Sequence, residues 1–217
     1  MLRPEHRLGS RLLTLEGGEG AGKTSCLSCI RDYFERRRLP YWVSREPGGT
    51  AMAEEIRELM LRPRAETVEA LTELFLVFAA RTQHLSTVIR PHLEAGEWVI
   101  LDRFTDASYA YQGGGRGVDE HIIANLESWV QGELRPGLVL WLDVPLEVGI
   151  KRVQERGGSD RMDNETRDFM LRVHDAYRRR FQSNPITHRR IDAGQPLDRV
   201  MADLVLTLDE YLVGALT

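Results

Sequence analysis

The feature that most constrains the fold is a glycine-rich segment near the start of the chain, Gly17-Gly18-Glu19-Gly20-Ala21-Gly22-Lys23-Thr24. It fits the pattern G-x-x-x-x-G-K-[ST], with an apolar run before it (Arg11–Leu15) and a helical pattern after it (Lys23–Arg38). In this setting backbone N–H groups turn inward around an anion, and the following helix contributes the positive end of its dipole. The segment therefore predicts a phosphate-binding P-loop between the first strand and the first helix of an α/β domain.

The side chains of this segment suggest separate roles. Lys23 is a mobile positive charge for the outer phosphates of a nucleotide, and the Thr24 hydroxyl is a candidate ligand of Mg²⁺. The predicted nucleotide-binding residues are Gly17, Gly18, Glu19, Gly20, Ala21, Gly22, Lys23, Thr24 and Ser25. Because GTPases, ATPases and small-molecule kinases share the pattern, it predicts nucleotide binding and leaves the reaction open.

Short β-rich runs alternate with longer helical patterns along the chain, which is typical of a parallel sheet covered by helices. The predicted strands are Arg11–Leu15, Tyr41–Ser44, Trp98–Leu101, Leu138–Leu142 and, with a weaker pattern, His188–Ile191. A long helical pattern, Glu66–Glu94, contains Pro91, so we expect a break or kink near Ile89. Further helices are expected over Ala51–Leu61, Asp119–Gln131, Leu146–Arg156, Arg167–Gln182 and Leu197–Leu212.

Size and composition fit one globular domain. The chain has 217 residues, of which 42 % are apolar and 29 % are charged, and we interpret residues 1–10 as a flexible extension and residues 11–217 as the domain. A net charge of −4 argues against nucleic acid or an anionic membrane as a general partner. Two cysteines, Cys26 and Cys29, and an N-terminus without the apolar core of a secretion signal lead us to expect a cytoplasmic protein.

A second group of residues follows the third predicted strand, in Asp102-Arg103-Phe104. An aspartate at a strand end near a P-loop is suited to Mg²⁺ or its waters, and the neighbouring arginine can clamp a second phosphate; the alternative is a surface ion pair. Three more arginines lie at joints or on helices where an anion could dock, and each alone is often only a solvated charge: Arg45, Arg57 and Arg81. Together with the P-loop they indicate that the acceptor also carries phosphate.

Four segments, in this order, resemble the bacterial thymidylate kinases: Glu16–Thr24, Arg45-Glu46-Pro47-Gly48-Gly49-Thr50, Asp102–Phe104 and Ala110-Tyr111-Gln112-Gly113-Gly114-Gly115-Arg116-Gly117. The resemblance extends from about residue 11 to residue 213. It implies a P-loop kinase fold, with a five-stranded parallel sheet flanked by helices. It also implies transfer of the γ-phosphoryl group of ATP to dTMP with Mg²⁺, a step of dTTP biosynthesis, usually by a homodimer.

The resemblance implies a set of substrate-binding residues by matching position: Glu19, Glu46, Pro47, Arg57, Phe78, Arg81, Arg103, Ser108, Tyr111 and Gln112. Of these, the three arginines would face the acceptor phosphate and Phe78 would stack on thymine. Ser108 and Gln112 would meet the edge of the base. Tyr111 would lie against the deoxyribose, and Glu19 would lie near the sugar hydroxyl or the metal.

A charged, glycine-rich segment, Arg156–Arg161, has the composition of a mobile lid over about residues 155–165. Since the P-loop offers no arginine, we expect a lid arginine to neutralise the transferring phosphoryl group and to exclude water. The chain resembles the bacterial subtype whose lid supplies this charge, and we predict Arg161 first and Arg156 second. The predicted catalytic residues are Lys23, Asp102, Arg103, Arg156 and Arg161. The resemblance also places Gly194 in the loop that touches adenine.

Two alternatives remain open at this point. In several relatives the stacking aromatic residue lies four positions before the arginine matching Arg81, where this chain has Val77; Phe78 lies three positions before it, and a core position is its alternative role. The reaction could also belong to another nucleoside or nucleoside-monophosphate kinase, or the chain could be a P-loop regulatory ATPase that binds a protein. The lack of an N-K-x-D motif argues against a GTPase switch.

Overall fold

The computed structural model describes residues 8–157, 161–163 and 165–216. A five-stranded parallel sheet with the order β2-β3-β1-β4-β5 forms its centre. The strands are β1 (Leu12–Glu16), β2 (Tyr41–Arg45), β3 (Trp98–Asp102), β4 (Leu138–Asp143) and β5 (His188–Asp192). The predicted α/β class and the five parallel strands are confirmed.

Helices lie on both faces of the sheet. They are α1 (Lys23–Arg36), α2 (Ala51–Leu61), α3 (Ala70–His84), α4 (Arg90–Glu94), α5 (Thr105–Ser108), α6 (Glu120–Gln131), α7 (Leu146–Arg156), α8 (Arg167–Ser183) and α9 (Leu197–Leu216), with π-helical segments at Leu85–Ile89 and Tyr109–Gly115. None of the helices in the described ranges is both long and apolar enough to cross a bilayer.

The core has two sides because successive side chains of a strand point to opposite faces. Leu13 and Leu15 of β1 pack with α1 and α9, in a cluster that also contains Ile30. Leu12 of β1 faces the other way and packs in a separate cluster with Ile89 of the π-helical segment. The central strand is therefore covered on both faces, and all five of its residues are buried.

Every strand runs one residue further than its pattern predicted, and the added residue is charged in each case: Glu16, Arg45, Asp102, Asp143 and Asp192. The carboxyl ends of parallel strands meet at one edge of the sheet, which is where open α/β sheets bind ligands. The structure thus gathers ionisable groups along the edge that also carries the P-loop.

Near Ile89, where a break or kink is expected, the helix changes its geometry without ending. The α-helical pattern of α3 gives way to the π-helical segment Leu85–Ile89, and α4 then begins with Pro91 at its second position. Proline lacks a backbone N–H and its ring crowds the carbonyl four residues earlier, so the preceding turn widens.

The start of the chain differs in part from the predicted extension, residues 1–10. Residues 1–7 lie outside the described ranges. The carbonyl oxygen of Gly9 accepts from the N–H of Gly137 at 2.8 Å, and that of Ser10 accepts from the Tyr211 hydroxyl at 2.6 Å. These bonds hold Gly9 and Ser10 against the body of the domain.

Candidate active site

The P-loop owes its shape to close backbone packing. Gly20 and Gly22 have left-handed φ angles of +73° and +87°, and Gly22 caps the start of α1. Behind the loop, Gly149 of α7 lies so close that a Cβ atom there would come within 2.8 Å of the Glu19 carbonyl oxygen. Glycines on both sides therefore allow the loop to rest directly on the backbone of α7.

Lys23 lies at the mouth of this loop. Its Nζ donates to the carbonyl oxygens of Gly18 and Gly17 over 3.3 and 3.4 Å, which are long hydrogen bonds. Burial and the charge of Arg103 lower the pKa of the ammonium group. The amine is held loosely enough to move to a phosphate, whose negative charge would favour its protonated form.

A cavity of about 450 Å³ extends from the P-loop across the edge of the sheet. Most of the predicted site residues line it, namely Glu19, Gly20, Ala21, Gly22, Lys23, Thr24, Glu46, Pro47, Arg57, Arg81, Asp102, Arg103, Ser108, Tyr111, Gln112 and Arg156. Six predicted residues are outside its lining: Gly17, Gly18, Ser25, Phe78, Arg161 and Gly194. The cavity thus joins the P-loop to residues from four other regions of the chain.

Three buried polar atoms on the cavity wall have no hydrogen-bond partner among the described residues. They are Nη1 of Arg81, Oδ1 of Asp102 and Oγ of Ser108. Buried polar groups are almost always paired, because each unmet bond costs free energy. An unpaired guanidinium donor, carboxylate acceptor and hydroxyl on three lining residues therefore indicate a site for a ligand with phosphate, cation and polar groups.

Arg103 lies between the P-loop and the rest of the cavity. Its φ of +67° is rare for a residue other than glycine. Its guanidinium donates to the Gly17 carbonyl oxygen at 2.6 Å and to Oε1 of Glu19 at 2.5 Å, and lies over the ring of Tyr111. The Tyr111 hydroxyl donates to the same Glu19 oxygen at 2.9 Å. Although burial raises the pKa of Glu19, the charge of Arg103 and then that of Lys23 lower it to about 2, so Glu19 is ionised at neutral pH.

Two buried side chains that the sequence analysis missed, Glu16 and Tyr177, help to hold Arg103 in place. The Tyr177 hydroxyl accepts from Arg103 at 3.2 Å and donates to Oε2 of Glu16 at 3.0 Å. Oε1 of Glu16 accepts from the backbone N–H of Phe104 at 2.7 Å, so the carboxyl group also fixes the turn after β3. Burial and the negative charge of Asp106 raise the pKa of Glu16 to about 8.

Arg81 is oriented by a second buried carboxylate. Its Nε donates to Oε2 of Glu46 at 2.6 Å, and the other oxygen of Glu46 lies 3.1 Å from Nδ1 of His84. Its Nη2 donates to the Phe104 carbonyl oxygen at 3.0 Å, and its Nη1 is buried without a partner among the described residues. Glu46, predicted to bind substrate, therefore lies at the cavity with both oxygens already engaged, and its pairing serves Arg81.

Phe78, predicted to stack on thymine, is not among the residues that line the cavity, whereas Val77 is. Phe78 is 3 % exposed and packs in a cluster with Leu74 and Tyr109, and the Arg81 guanidinium carbon lies 4.7 Å from the centre of its ring. The reason is the helical period, because Val77 lies four residues before Arg81 and shares its side of α3. The residue after Val77 is turned by about 100° toward α6 and the second π-helical segment.

The lid places its two candidate arginines differently. Gly158, Ser159, Asp160 and Asn164 lie outside the described residues. Arg156 lines the cavity and donates to Oδ1 of Asp163 at 2.8 Å. Arg161 donates to the Met60 carbonyl oxygen at 3.0 Å and forms an ion pair with the buried Glu73. Arg156, the second choice from sequence, therefore lines the cavity together with the P-loop residues, and Arg161, the first choice, does not.

The loop that carries Gly194 is tied to the P-loop by Arg152, which sequence reasoning missed. Nη1 of Arg152 donates to the carbonyl oxygens of Gly20 at 3.3 Å and Ala193 at 3.1 Å. The N–H of Gly194 donates to Oδ1 of Asp192 at 2.9 Å. One side chain of α7 thus holds the loops after β1 and β5 together.

A dedicated metal centre is absent from the described residues, since they contain no group of three or more His, Cys, Asp and Glu side chains suited to an ion. The residues nevertheless fit a magnesium ion carried by nucleotide phosphates. Thr24 lines the cavity with Asp102, whose Oδ1 is buried and without a partner there. Mg²⁺ keeps several waters and needs only one or two protein oxygens when phosphates supply the others.

The thiols of Cys26 and Cys29 are both free and take no part in the cavity. Burial raises the pKa of Cys26 to about 11 and that of Cys29 above its ordinary value. A raised pKa keeps a thiol protonated and unreactive.

Comparison with known proteins gives a consistent result. The family model described as thymidylate kinase matches residues 15–204. The thymidylate kinase of Alkalilimnicola ehrlichii is 49 % identical over 95 % of this chain and 94 % of its own length. That of Pseudomonas savastanoi pv. phaseolicola is 50 % identical over 92 % of this chain and 95 % of its own. A crystal structure of the Ehrlichia chaffeensis enzyme superposes with a TM-score of 0.74 at 28 % identity, covering 94 % of this chain and 98 % of that one.

Proposed function

This chain belongs to the thymidylate kinase family and phosphorylates dTMP with ATP, and we propose that the transfer takes place in the cavity beside the P-loop. One observation carries the proposal: Arg81, Asp102 and Ser108 all line that cavity, and each has a buried polar atom without a partner among the described residues. A phosphate, a magnesium ion and the edge of a base have the chemistry to satisfy them.

ATP binds on the P-loop side in this proposal. Inward-facing N–H groups of the loop and the start of α1 hold the phosphates, and Lys23 moves onto the outer ones. The adenine lies toward the loop of Gly194. The bonds of Arg152 to the carbonyl oxygens of Gly20 and Ala193 support this placement, because they hold that loop beside the P-loop.

dTMP binds on the opposite side, with its phosphate among Arg57, Arg81 and Arg103. All three line the cavity, and a planar guanidinium can bind phosphate through two parallel hydrogen bonds. The base edge meets Ser108 and Gln112, which lie one helical turn apart.

The deoxyribose of dTMP lies, in the same proposal, against Tyr111 and near Glu19. The hydrogen bond between these two side chains supports it, because it fixes the ring of Tyr111 at the cavity wall. A rigid ring at that wall would disfavour a sugar that carries an additional hydroxyl group.

Thr24 and Asp102 are the proposed protein contacts of Mg²⁺, Asp102 directly or through water. When bound, the ion would supply positive charge that neutralises the negative charge developing on the transferring phosphoryl group. The buried, unpartnered Oδ1 of Asp102 supports this assignment.

Catalysis then depends on placement and charge. An oxygen of the dTMP phosphate attacks the γ-phosphorus of ATP in line, the bond to ADP breaks, and no strong general base is needed because the acceptor is already an anion. We assign the lid cation to Arg156, which lines the cavity, and keep Arg161 as the rival assignment. The pKa of Glu19 supports this assignment. Burial raises that pKa, the charges of Arg103 and Lys23 lower it, and the charge of Arg156 lowers it further.

We further propose a homodimer and a cytoplasmic location. Large apolar side chains are exposed on the neighbouring helices α3 and α6: Leu71, Phe75, Ile122 and Trp129. Contiguous exposed apolar surface favours association. The two free thiols are compatible with a reducing compartment.

An acceptor panel tests the proposed function most directly. ADP release is measured with ATP and dTMP, dUMP, dCMP, dAMP or thymidine, with and without a chelator of Mg²⁺. We expect dTMP to be the best acceptor, dUMP to be weaker by about 10–200-fold because one methyl group is missing, and thymidine to be inert. A Lys23→Met variant is the control for P-loop dependence, and ADP release that ignores the acceptor would contradict the proposal.

A further inference from the structure

Glu73 is a fully buried carboxylate in the same helix as Val77 and Arg81. It lies four and eight residues before them and so continues the side of α3 that faces the cavity. Its side chain is 0 % exposed. A buried carboxylate is tolerated only when it is well paired, so its partners show what the fold uses it for.

Three side chains donate to Glu73. Nε2 of Gln112 lies 2.8 Å from Oε1, and Nε of Arg116 lies 3.2 Å from Oε2. The guanidinium of Arg161 also donates to Oε2. Both oxygens of the carboxylate are therefore occupied by donors, and one donor comes from a residue that lines the cavity, Gln112.

This pairing determines which way the amide of Gln112 points. An ionised carboxylate only accepts hydrogen bonds, and guanidinium groups only donate them. Although burial raises the pKa of Glu73, its hydrogen bonds with Gln112 and Arg161 and the charge of Arg116 hold that pKa below the ordinary value. The NH₂ group of Gln112 must then face Glu73, and its Oε1 is turned away from the carboxylate.

We propose that Glu73 is a specificity-determining positioning residue, which fixes the amide of Gln112 so that a carbonyl oxygen faces the base. This inference rests on the proposed function, which places the edge of the base at Gln112. Thymine and uracil carry a donor, N3–H, whereas the same ring atom of cytosine is an acceptor. A fixed acceptor pairs with the first two bases and repels the third, which is specificity by an unfavourable contact with the wrong ligand.

Ser108 cannot make this distinction by itself. Its Oγ is buried and unpartnered among the described residues, and a hydroxyl rotates to donate or to accept. Selection between thymine and cytosine at this edge therefore depends on the side chain whose orientation is locked, Gln112.

Glu73→Gln is the decisive variant, because glutamine keeps the shape of Glu73 but can donate as well as accept, and so releases the amide of Gln112. We expect the ratio of kcat/KM for dCMP to that for dTMP to rise on the order of tenfold. The ratio for dUMP to dTMP should not change, since both bases carry N3–H. An unchanged dCMP ratio, or an equal change in both ratios, overturns the inference.

Glu127→Gln is the matched control. Glu127 is another buried glutamate, bonded to the Tyr109 hydroxyl and to Arg135, each at 2.7 Å, and it does not line this cavity. Its substitution removes a buried carboxylate without touching Gln112, so both nucleotide ratios should stay at the wild-type values.

Gln112→Met tests the same acceptor with Glu73 intact, and so covers the case in which Glu73→Gln does not fold. Calorimetric binding of dTMP and dCMP should show weaker dTMP binding and a dCMP-to-dTMP ratio that moves in the same direction as in Glu73→Gln. Unchanged dTMP binding would place the base elsewhere and refute the proposed function at this position. Weaker dTMP binding with an unchanged ratio would refute only the role of Glu73.

Discussion

At the scale of single residues, the two lid arginines differ in what they touch. Arg156 lines the cavity, while Arg161 is held by Glu73 and the Met60 carbonyl oxygen. We predict that Arg156→Ala lowers kcat by on the order of 10³, the lower end for arginine fingers, with dTMP binding preserved. Single-turnover kinetics and dTMP titration measure the two effects.

Arg161→Ala is the paired variant for that experiment. Its loss removes one of the donors to Glu73, so we expect it to act mainly on dTMP affinity and less on kcat. A fall in kcat on the order of 10³ in Arg161→Ala, with Arg156→Ala close to wild type, would restore the order predicted from sequence and show that Arg161 leaves Glu73 during turnover.

A second residue-scale prediction separates the two neighbours on α3. Phe78 fills an apolar cluster, so Phe78→Ala should destabilise the fold by about 3–5 kcal/mol and raise the KM values for dTMP and ATP alike. Val77 lines the cavity, so Val77→Ala should raise the KM for dTMP while that for ATP stays constant. Thermal unfolding and both KM values check this; a rise confined to dTMP in Phe78→Ala would contradict it.

A site residue could be predicted from sequence when it belongs to a short sequence motif, and was missed when its role depends on a partner far away in the chain. The P-loop, Arg103, Ser108 and Gln112 belong to short patterns, so sequence and resemblance located them at the cavity. Glu16 was missed as a support of Arg103 because its partner Tyr177 lies 161 residues away. Glu73 was missed because a single glutamate in an apolar helix gives no sign of the Gln112 amide it will meet.

At the scale of elements, the contact between the P-loop and α7 is the tightest feature of the site. A Cβ on Gly149 would lie 2.8 Å from the Glu19 carbonyl oxygen, so the loop would have to shift. We predict that Gly149→Ala imposes strain of about 1–3 kcal/mol and raises the KM for ATP more than that for dTMP. Steady-state kinetics with each substrate varied in turn measures this.

Lys151→Ala is the control on the same helix. Lys151 is exposed and its ion pair with Glu155 is a surface pair of the i, i+4 kind, so its loss should change neither KM. Equal ATP affinity in Gly149→Ala and Lys151→Ala would show that the loop tolerates the added methyl group.

The elements themselves were predictable where one residue type punctuates them. Pro91 predicted an irregularity in this helix, and the structure has the π-helical segment Leu85–Ile89 directly before the turn that contains Pro91. Strand ends were predicted one residue short, because a charged residue such as Asp102 or Asp143 interrupts an apolar pattern although its backbone still pairs within the sheet. Sequence patterns report apolar burial, so they omit a charged last residue even where it is buried, as Glu16 is.

At the scale of the whole molecule, the raised pKa of Glu16 links global stability to pH. Its native pKa is about 8 and the ordinary value is 4.5, so the folded state binds more protons than the unfolded state between these values. The free energy of unfolding therefore falls as pH rises from about 4.5 to about 8. We predict that Glu16→Gln, which cannot ionise, flattens the decline of Tm between pH 6 and pH 8.

The difference between wild type and Glu16→Gln is the quantity to measure, by thermal unfolding in matched buffers. Parallel Tm profiles of the two proteins would mean that Glu16 is ionised in the folded state at neutral pH.

The proposed dimer is also a property of the whole molecule. Phe75 and Trp129 are 54 % and 79 % exposed on adjacent helices, and a buried charge at an interface is costly. We predict that Phe75→Glu and Trp129→Glu each shift the mass measured by light scattering from dimer to monomer. Ile186→Glu, at an apolar residue 87 % exposed after α8, is the control and should remain dimeric.

The aliphatic wall at Val77 has a consequence for ligand design. A ligand whose affinity depends on contact with an aromatic face would gain little from this branched methyl pair. A compound that places a compact, three-dimensional hydrophobic group beside Val77 would match the wall instead, and its selectivity for this chain would come from shape.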